Sequence, residues 1–226
     1  MYTLALEGAT YAGSAALLRD GLVVASRTIQ DASTPTKAGR EERMLPSVAE
    51  CLEEAGARID EVGEVVCGGG PGSFTSLRVA GSIAKGIAIG RNCPMYAVSS
   101  LTLSVASARQ SNAAPPGFYL SVLPAMRGDW FALLVEITSD GGVMERGDVS
   151  LVNEVDLANT AHERNARVLG PHQDLDASPN ATGVVLLLSA IRACGPVDIE
   201  TWEPDYGRLA EAQVRWEAEH GRALTP

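Results

Sequence analysis

The residues best suited to chemistry lie in one glycine-rich stretch, Gly68 to Arg78 (GGGPGSFTSLR). The stretch follows a predicted strand and precedes a predicted helix, where free backbone N–H groups and the helix dipole favour an anion. It is therefore a candidate phosphate-binding turn, lined by Gly70, Gly72 and Ser73. A tight turn in which Ser73 caps the helix accounts for the same residues without a ligand. Spacing alone leaves both interpretations open.

Two catalytic motifs are absent from this stretch. A Walker loop would end in Gly-Lys-Ser or Gly-Lys-Thr, so the lysine that reaches the β- and γ-phosphates is missing. A nucleophile elbow would need glycines two residues either side of Ser73, where Pro71 and Thr75 stand. A peptidase is therefore the weakest of the enzyme hypotheses.

Glu7 is the acidic residue that could act with this turn. It follows the first predicted strand, and a carboxylate there could hold Mg²⁺ or a water molecule beside a phosphate. A solvent-exposed acid in a turn is the alternative interpretation. The enzyme hypothesis, a small ATPase or phosphotransferase, depends on Glu7 and the Gly68 to Gly72 turn.

Composition and charge narrow the class of protein. The chain has 226 residues, of which 46% are hydrophobic and 20% charged, so a globular fold is expected and wholesale disorder is excluded. Its net charge is −10, and the basic residues form no stripe, which argues against independent binding to nucleic acid. The longest apolar run, Val184 to Leu188, is too short to span a bilayer, and the N-terminal residues lack the pattern of a secretory signal. We expect a soluble cytoplasmic protein.

Neither a metal nor a cofactor is predicted. The four cysteines are far apart in the sequence, and the three histidines do not pair at helical spacing. A zinc site would require paired ligands at short spacing.

The elements that must position the turn follow the order β-β-β-α-β-α-β over residues 1–98, which suits one lobe of a ribonuclease-H-like α/β domain. A Rossmann domain would instead begin β-α-β, with its glycines directly after the first strand. The predicted strands of this half are 2–6, 13–18, 22–28, 62–67 and 95–98, and its helices are 40–55 and 76–89. In the second half we predict strands 118–123, 130–137 and 143–149, helix 99–108, a helix buried all round at 182–193, and an amphipathic helix at 207–219.

The two helices of the first half each carry an apolar face. The second of them also has a face of small residues, Gly81, Ala84 and Ala88, which would let another backbone approach closely. A subunit interface and ordinary core packing predict much the same residues, so both interpretations stay open.

The sequence resembles the bacterial TsaB family, a subunit of the machinery that makes threonylcarbamoyladenosine in tRNA. The segment GPGSFTSLRVAGSIAKGIA is similar to the GPGSFTGLR segment of that family. LALEGAT stands where the family reads LAIDTAT, ERMLPSV is similar to an ERLLP helix start, and EPDYGR followed by a charged helix is similar to its closing segment. The likeness covers nearly the whole chain.

This resemblance implies an actin-like (ASKHA) fold of two lobes, each a mixed sheet flanked by helices. We assign residues 1–98 to the N-terminal lobe, 99–206 to a smaller second lobe and 207–226 to a C-terminal helix. The resemblance also implies a non-catalytic subunit that pairs with a TsaD-like catalytic subunit and a TsaE-like ATPase, contacts tRNA only through that complex, and forms a homodimer when alone. The implied partner-binding residues are Met44, Leu45, Val48, Leu52, Leu77, Arg78, Ile83 and Ile87.

The sequence departs from the family pattern around the phosphate site. Glu7 replaces the Asp after the first strand, and Pro124-Ala125-Met126-Arg127 stands at the family's D-A-R, with no carboxylate there. Both changes argue against ATP turnover by this chain. We therefore expect at most a vestigial phosphate site, formed by Glu7, Thr10, Gly70, Gly72 and Ser73.

Overall fold

Two mixed β-sheets, with helices between and outside them, form the fold in the computed structural model. The structure describes residues 1–29, 43–125, 127–207 and 220. The prediction of an α/β fold with two mixed sheets flanked by helices is confirmed.

The first sheet has five strands in the order β3-β2-β1-β4-β5. A hairpin pairs β2 antiparallel with both β1 and β3, whereas β1, β4 and β5 run parallel to one another. All five strands are predicted from the sequence. Their bounds are Tyr2–Glu7 (β1), Ser14–Arg19 (β2), Leu22–Thr28 (β3), Val62–Gly68 (β4) and Met95–Val98 (β5).

Helices cover both faces of the first sheet because alternate residues of its strands point to opposite sides. In β1, Leu4 and Leu6 belong to the core under the outer helices, whereas Ala5 packs with the helices on the other side. The outer helices are α1 (Met44–Glu54) and α2 (Phe74–Arg91). The helices on the other side are α3 (Ser100–Gln110) and α5 (Val184–Cys194), and α3 also packs on the second sheet.

The second sheet has more strands than the three we predicted. The expected strand 143–149 is wrong: it ends after Glu145, the chain passes through Gly147 at a φ of 120°, and a separate strand follows. The order is β11-β10-β6-β7-β8, with β9 also paired to β7. The bounds are Gly117–Pro124 (β6), Asp129–Ile137 (β7), Val143–Glu145 (β8), Ser150–Asn153 (β9), Arg167–Gly170 (β10) and Leu175–Asp176 (β11), with α4 at Leu157–Glu163.

The helix α5 is not buried all round, contrary to the sequence prediction. Leu187 and Leu188 are buried against the first sheet, but Leu186 is 40% exposed. The predicted helix at 207–219 lies outside the described residues apart from its first residue, which the structure places in a bend. Of the described helices, none has the length and apolar character that a membrane crossing requires.

The last described part of the second half packs back on the first lobe. Val197, Ile199 and Trp202 all contact the core that lies under α1 and α2. The division at residue 98 stays a prediction, but the contacts across it join α5 and residues 197–202 to the first sheet.

Candidate functional site

The glycine-rich turn and Glu7 meet where two parallel strands end. Leu6 of β1 is in register with Cys67 of β4, so Glu7 lies beside Gly68 at the same edge of the sheet. A Cβ atom on Gly68 would overlap the Glu7 carboxylate, so only glycine leaves room for that side chain. The structure therefore places Glu7 close to the turn, as the sequence predicts.

The carboxylate of Glu7 is enclosed by the protein. Its side chain has no exposed surface, so the interpretation as a solvent-exposed turn acid is wrong. The backbone N–H of Ala9 donates to Oε1, and the hydroxyl of Ser100 lies 3.2 Å from Oε1 and 3.0 Å from Oε2. Ser100 belongs to α3, so this contact joins the first sheet to the helix between the two sheets.

Burial changes the acidity of this carboxyl. Loss of solvent raises the pKa of Glu7 from 4.5 to about 7, and this effect exceeds the opposing effect of the hydrogen bonds from Ala9, Ser100 and Gly8. The nearby Cys67 thiol is also buried, and burial together with the charge of Glu7 raises the pKa of that thiol. The carboxyl of Glu7 thus titrates near neutral pH.

Three backbone donors of the turn are engaged with the protein itself. The N–H of Gly69 donates to the carbonyl of Val98 at 2.7 Å, and the N–H of Gly70 donates to Ser100 Oγ at 3.2 Å. The N–H of Ser73 donates to the carbonyl of Ala9 at 2.7 Å. A phosphate cradle depends on such donors pointing at the ligand, and these three point at protein acceptors.

The side chains of Thr10 and Ser73, which are predicted to bind phosphate, also contact other groups of the protein. Thr10 donates to the carbonyl of Ala12 at 3.1 Å. Ser73 occupies the N-cap position of α2 but makes no side-chain capping bond, and its hydroxyl lies 3.1 Å from the hydroxyl of Ser76. A Cβ on Gly72 would overlap the backbone of Ala9, so this glycine is required by a close approach of two chain segments.

The other side of the turn contacts residues near position 205, which sequence reasoning did not find. The N–H of Asp205 donates to the carbonyl of Gly69 at 2.7 Å, and a Cβ on Gly70 would overlap the carbonyl of Asp205. Gly70 also has a φ of 93°, which favours glycine. A cleft of about 260 Å³ beside the turn is lined in part by Trp202 and Glu203.

The predicted partner-binding residues divide into two groups in the structure. Met44, Val48 and Leu77 are 4%, 2% and 0% exposed and lie in hydrophobic cores, so their side chains are not available to a partner and this part of the prediction is corrected. The apolar stripe marks the side of each helix that packs inward. The residues with exposed or half-buried side chains are Leu45, Leu52, Arg78, Ile83 and Ile87.

The small-residue face of α2 is covered by other residues of this chain. Ala84 and Ala88 are fully buried in the core of the first lobe. A Cβ on Gly81 would lie 3.3 Å from the Trp202 ring and 3.4 Å from Pro204, so the chain itself covers this position. The interface interpretation of this face is wrong, and core packing is the correct one.

The opposite side of α2 has a different glycine. Gly86 is exposed within the helix, and a Cβ there would meet no atom of residues 1–29, 43–125 or 127–207 within 4 Å. Glycine inside a helix costs about 1 kcal/mol relative to alanine, and no contact with the described residues explains that cost. Exposed Leu45 on α1 and Ile89, 66% exposed at the end of α2, also belong to the outer helix surface.

Comparison with known proteins gives the family context. Residues 24–133 match the family model described as TsaD, tRNA N6-adenosine threonylcarbamoyltransferase. The chain is 26% identical over 236 residues to the tRNA threonylcarbamoyladenosine biosynthesis protein TsaB of Bacillus subtilis, an alignment that covers 96% of this chain and 98% of that relative. It is 36% identical over 114 residues to the protein of the same name in Escherichia coli, covering 50% of this chain and 47% of that relative.

A solved structure supports the same conclusion about the fold. The chain is similar to YeaZ from Pseudomonas aeruginosa with a TM-score of 0.72 and 24% sequence identity, covering 91% of this chain and 99% of that chain. This similarity confirms the fold of two mixed sheets flanked by helices that is expected from the sequence.

Proposed function

Because the chain belongs to the TsaB family, we propose that it is a non-catalytic subunit in the biosynthesis of threonylcarbamoyladenosine in tRNA. It pairs with a TsaD-like catalytic subunit, a TsaE-like ATPase joins the pair, and tRNA is contacted through the complex in the cytoplasm. The names of the relatives support the pathway. The pairing is argued below from the surface of α1 and α2.

The observation that carries this proposal is the outer surface of the two helices. Leu45 is 53% exposed on α1, and the half-buried Ile83 lies on α2 close to the exposed Gly86. An apolar surface of this kind gains free energy when a partner removes it from water. The open space above Gly86 lets a partner helix approach closely, which explains a glycine that is unfavourable for the isolated helix.

The closed turn supports the non-catalytic part of the proposal. Phosphoryl transfer relies on backbone and charged groups that hold the phosphates and on bound metal ions. In this chain the N–H groups of Gly69, Gly70 and Ser73 are engaged with protein acceptors, and the buried Glu7 carboxylate lies beside them. When it is ionised, above a pH of about 7, the carboxylate in this place repels a phosphate.

The experiment that tests the pairing is size-exclusion chromatography with light scattering on the chain mixed with the TsaD homologue of the same organism. The wild-type chain should give a new one-to-one peak. Leu45→Asp should abolish this peak, because desolvating an unpaired carboxylate weakens binding by about 100-fold or more.

The matched control is Val155→Asp. Val155 is 84% exposed in the second half of the chain, away from α1 and α2, so this variant makes the same kind of substitution on another surface. It should pair as the wild type does. If Leu45→Asp pairs as tightly as Val155→Asp, the surface assignment is wrong.

In the absence of the catalytic subunit, the same helix surface pairs two copies of this chain. A two-fold dimer would bring the surface around Gly86 of one copy against that of the other. Light scattering on the chain alone should then give the mass of a dimer, and Leu45→Asp should give that of a monomer.

Isothermal titration with ATP and Mg²⁺ distinguishes the competing phosphotransferase hypothesis from the proposed non-catalytic role. The isolated chain should give no binding heat at micromolar nucleotide concentrations. A micromolar dissociation constant would contradict the non-catalytic assignment and favour an ATPase.

A further inference from the structure

Residues 202–206, which we call the strap, run along one side of α2. The ring of Tyr206 lies 4.5 Å from that of Phe74 at the start of this helix. Nearer the middle of the helix, the ring of Trp202 covers Gly81. The strap and the helix together therefore line this side of α2 with aromatic rings.

Two basic side chains of α2 lie against these rings. Cζ of Arg78 is 4.7 Å from the centre of the Phe74 ring, and Nζ of Lys85 is 5.8 Å from the centre of the Trp202 ring. The two basic residues are about two helical turns apart, so both lie on the strap side of the helix. A guanidinium stacked on a ring keeps the N–H donors at the edge of its plane free for a planar acceptor. The rings therefore hold the cations in place and leave their donors open to a partner.

Neither cation is neutralised by the part of the chain that the structure describes. Within residues 1–29, 43–125 and 127–207, neither Arg78 nor Lys85 forms an ion pair with a carboxylate. The chain has a net charge of −10, so its carboxylates are in excess. Other basic side chains do pair within the chain, namely Arg27 with Glu50, Arg146 with Glu136 and Arg192 with Glu64. The two cations beside the strap therefore keep their charge available to another molecule.

The basic side of α2 borders the apolar surface that we propose binds the catalytic subunit. Lys85 directly precedes Gly86, and it lies about one helical turn from the exposed Ile89. We propose that Arg78 and Lys85 form a basic edge of this surface, the strap edge, which binds acidic side chains of the catalytic partner. This inference rests on the proposed pairing, and it adds the charge that the partner must carry at this edge.

Carboxylates of a protein fit the strap edge better than the phosphates of RNA do. A carboxylate accepts two parallel N–H bonds from one guanidinium, and charged groups at the margin of an interface steer association and select the partner. Binding along a phosphate backbone requires more basic groups than these two, in a chain whose net charge is −10. Because the rings already hold both side chains, less conformational entropy is lost when a partner binds them.

Charge reversal at the strap edge tests the proposal by titration calorimetry with the TsaD homologue of the same organism. Between about 50 and about 300 mM KCl, the wild-type affinity should fall by about tenfold, because salt screens the attraction. Arg78→Glu should weaken binding by about tenfold at the lower salt, and Arg78→Glu combined with Lys85→Glu by about 100-fold. The affinity of the double variant should rise with salt, because its edge repels the partner's carboxylates.

The matched control is Arg164→Glu. Arg164 is exposed at the end of α4, on the second sheet, so this variant reverses the same charge on another surface. It should bind the TsaD homologue as the wild type does, with the same dependence on salt. The melting temperatures of Arg78→Glu and Arg164→Glu should both stay within about 2 °C of the wild type, because each side chain is exposed.

Three other results would contradict the proposal, each in a different way. If the wild type pairs but Arg78→Glu binds as tightly as Arg164→Glu at the lower salt, the strap edge lies outside the interface, while the proposed pairing stands. If charge reversal leaves pairing unchanged and instead weakens the binding of tRNA to the assembled complex, the edge binds phosphates and the inference is wrong. Failure of the wild type to pair at all would overturn the proposed function together with this edge.

Discussion

The glycine-rich turn and the outer surface of α1 and α2 lie next to each other but are built in opposite ways. Around Glu7, donors meet acceptors from the same chain and the side chain is fully enclosed. On the helices, Leu45 and Ile89 are exposed, and no atom of the part of the chain that the structure describes lies within 4 Å of a Cβ placed on Gly86. The difference teaches that polar groups of the turn are paired within the chain, whereas the two helices leave apolar side chains in contact with solvent, where the proposed partner would bind.

The largest effect on stability is expected when one carbon atom is added to the turn. Gly68→Ala would drive a methyl group into the Glu7 carboxylate and should lower the free energy of unfolding by about 3 kcal/mol or more. Denaturant unfolding measures this effect. The control is Gly86→Ala, the same substitution in open space, which should not destabilise the fold. Equal stability of the two variants would mean that the turn is not closely packed.

The pH dependence of stability tests the burial of Glu7 beside the turn. The pKa of Glu7 is about 7 in the folded protein and near 4.5 when unfolded, so between these values only the folded state keeps the proton. Stability therefore falls as the pH rises through this window, by up to about 3 kcal/mol, and the loss is complete above pH 7. Glu7→Gln cannot titrate, so its unfolding free energy lacks this contribution.

The measurement is urea unfolding of the wild type and Glu7→Gln between pH 4.5 and 8. Other titrating groups contribute equally to both proteins and cancel in the difference. The titratable thiol of Cys67 and the hydroxyl of Ser100 face the carboxyl and are present in both. A difference that stays constant across the window would contradict the burial of Glu7.

Substitutions of Gly86 test whether the exposed helix surface binds the partner. Gly86→Leu should weaken binding to the TsaD homologue by about tenfold or more, because the larger side chain keeps a partner helix away, while the isolated fold has room for it. Gly86→Ala should stabilise the isolated fold by up to about 1 kcal/mol. Titration calorimetry and thermal unfolding give the two quantities. Unchanged affinity of Gly86→Leu would remove Gly86 from the interface.

The smallest effect is expected at Ser73. Its side chain makes no capping bond, and its hydroxyl lies 3.1 Å from the hydroxyl of Ser76. Ser73→Ala should change the unfolding free energy by less than about 0.5 kcal/mol and should leave pairing unchanged. A loss of more than about 2 kcal/mol would show that the hydroxyl holds the turn.

The first sheet could be predicted from the sequence because its strands are marked by local signals. β3 and β5 have the predicted bounds, and each is preceded by residues that favour turns. The second sheet was predicted only in part, since β10 has four residues and β11 two. Strands this short carry no alternation of their own. β10 forms by pairing with β6, which lies far away in the sequence, and β11 in turn pairs with β10.

The candidate site was predicted to a similar extent. Glu7 and Gly68 end neighbouring strands, so their proximity follows from the order of elements. The contacts of Ser100 and Asp205 with the same turn come from tertiary packing, which no spacing in the sequence indicates. On the helices, periodicity identified the apolar stripe of Met44 and Val48, but such a stripe marks the side that packs on the sheet.

The packing of residues 197–206 on the first lobe has a consequence for how this protein folds during its synthesis on the ribosome. Trp202 covers Gly81 of α2, and Asp205 completes the hydrogen bonding of the turn. The ribosome makes these residues long after α2, so the first lobe cannot reach its final packing until residue 205 has emerged. Until then, nascent chains expose the face of α2 that Trp202 later covers, and a fragment ending at residue 98 would keep this apolar surface open to aggregation.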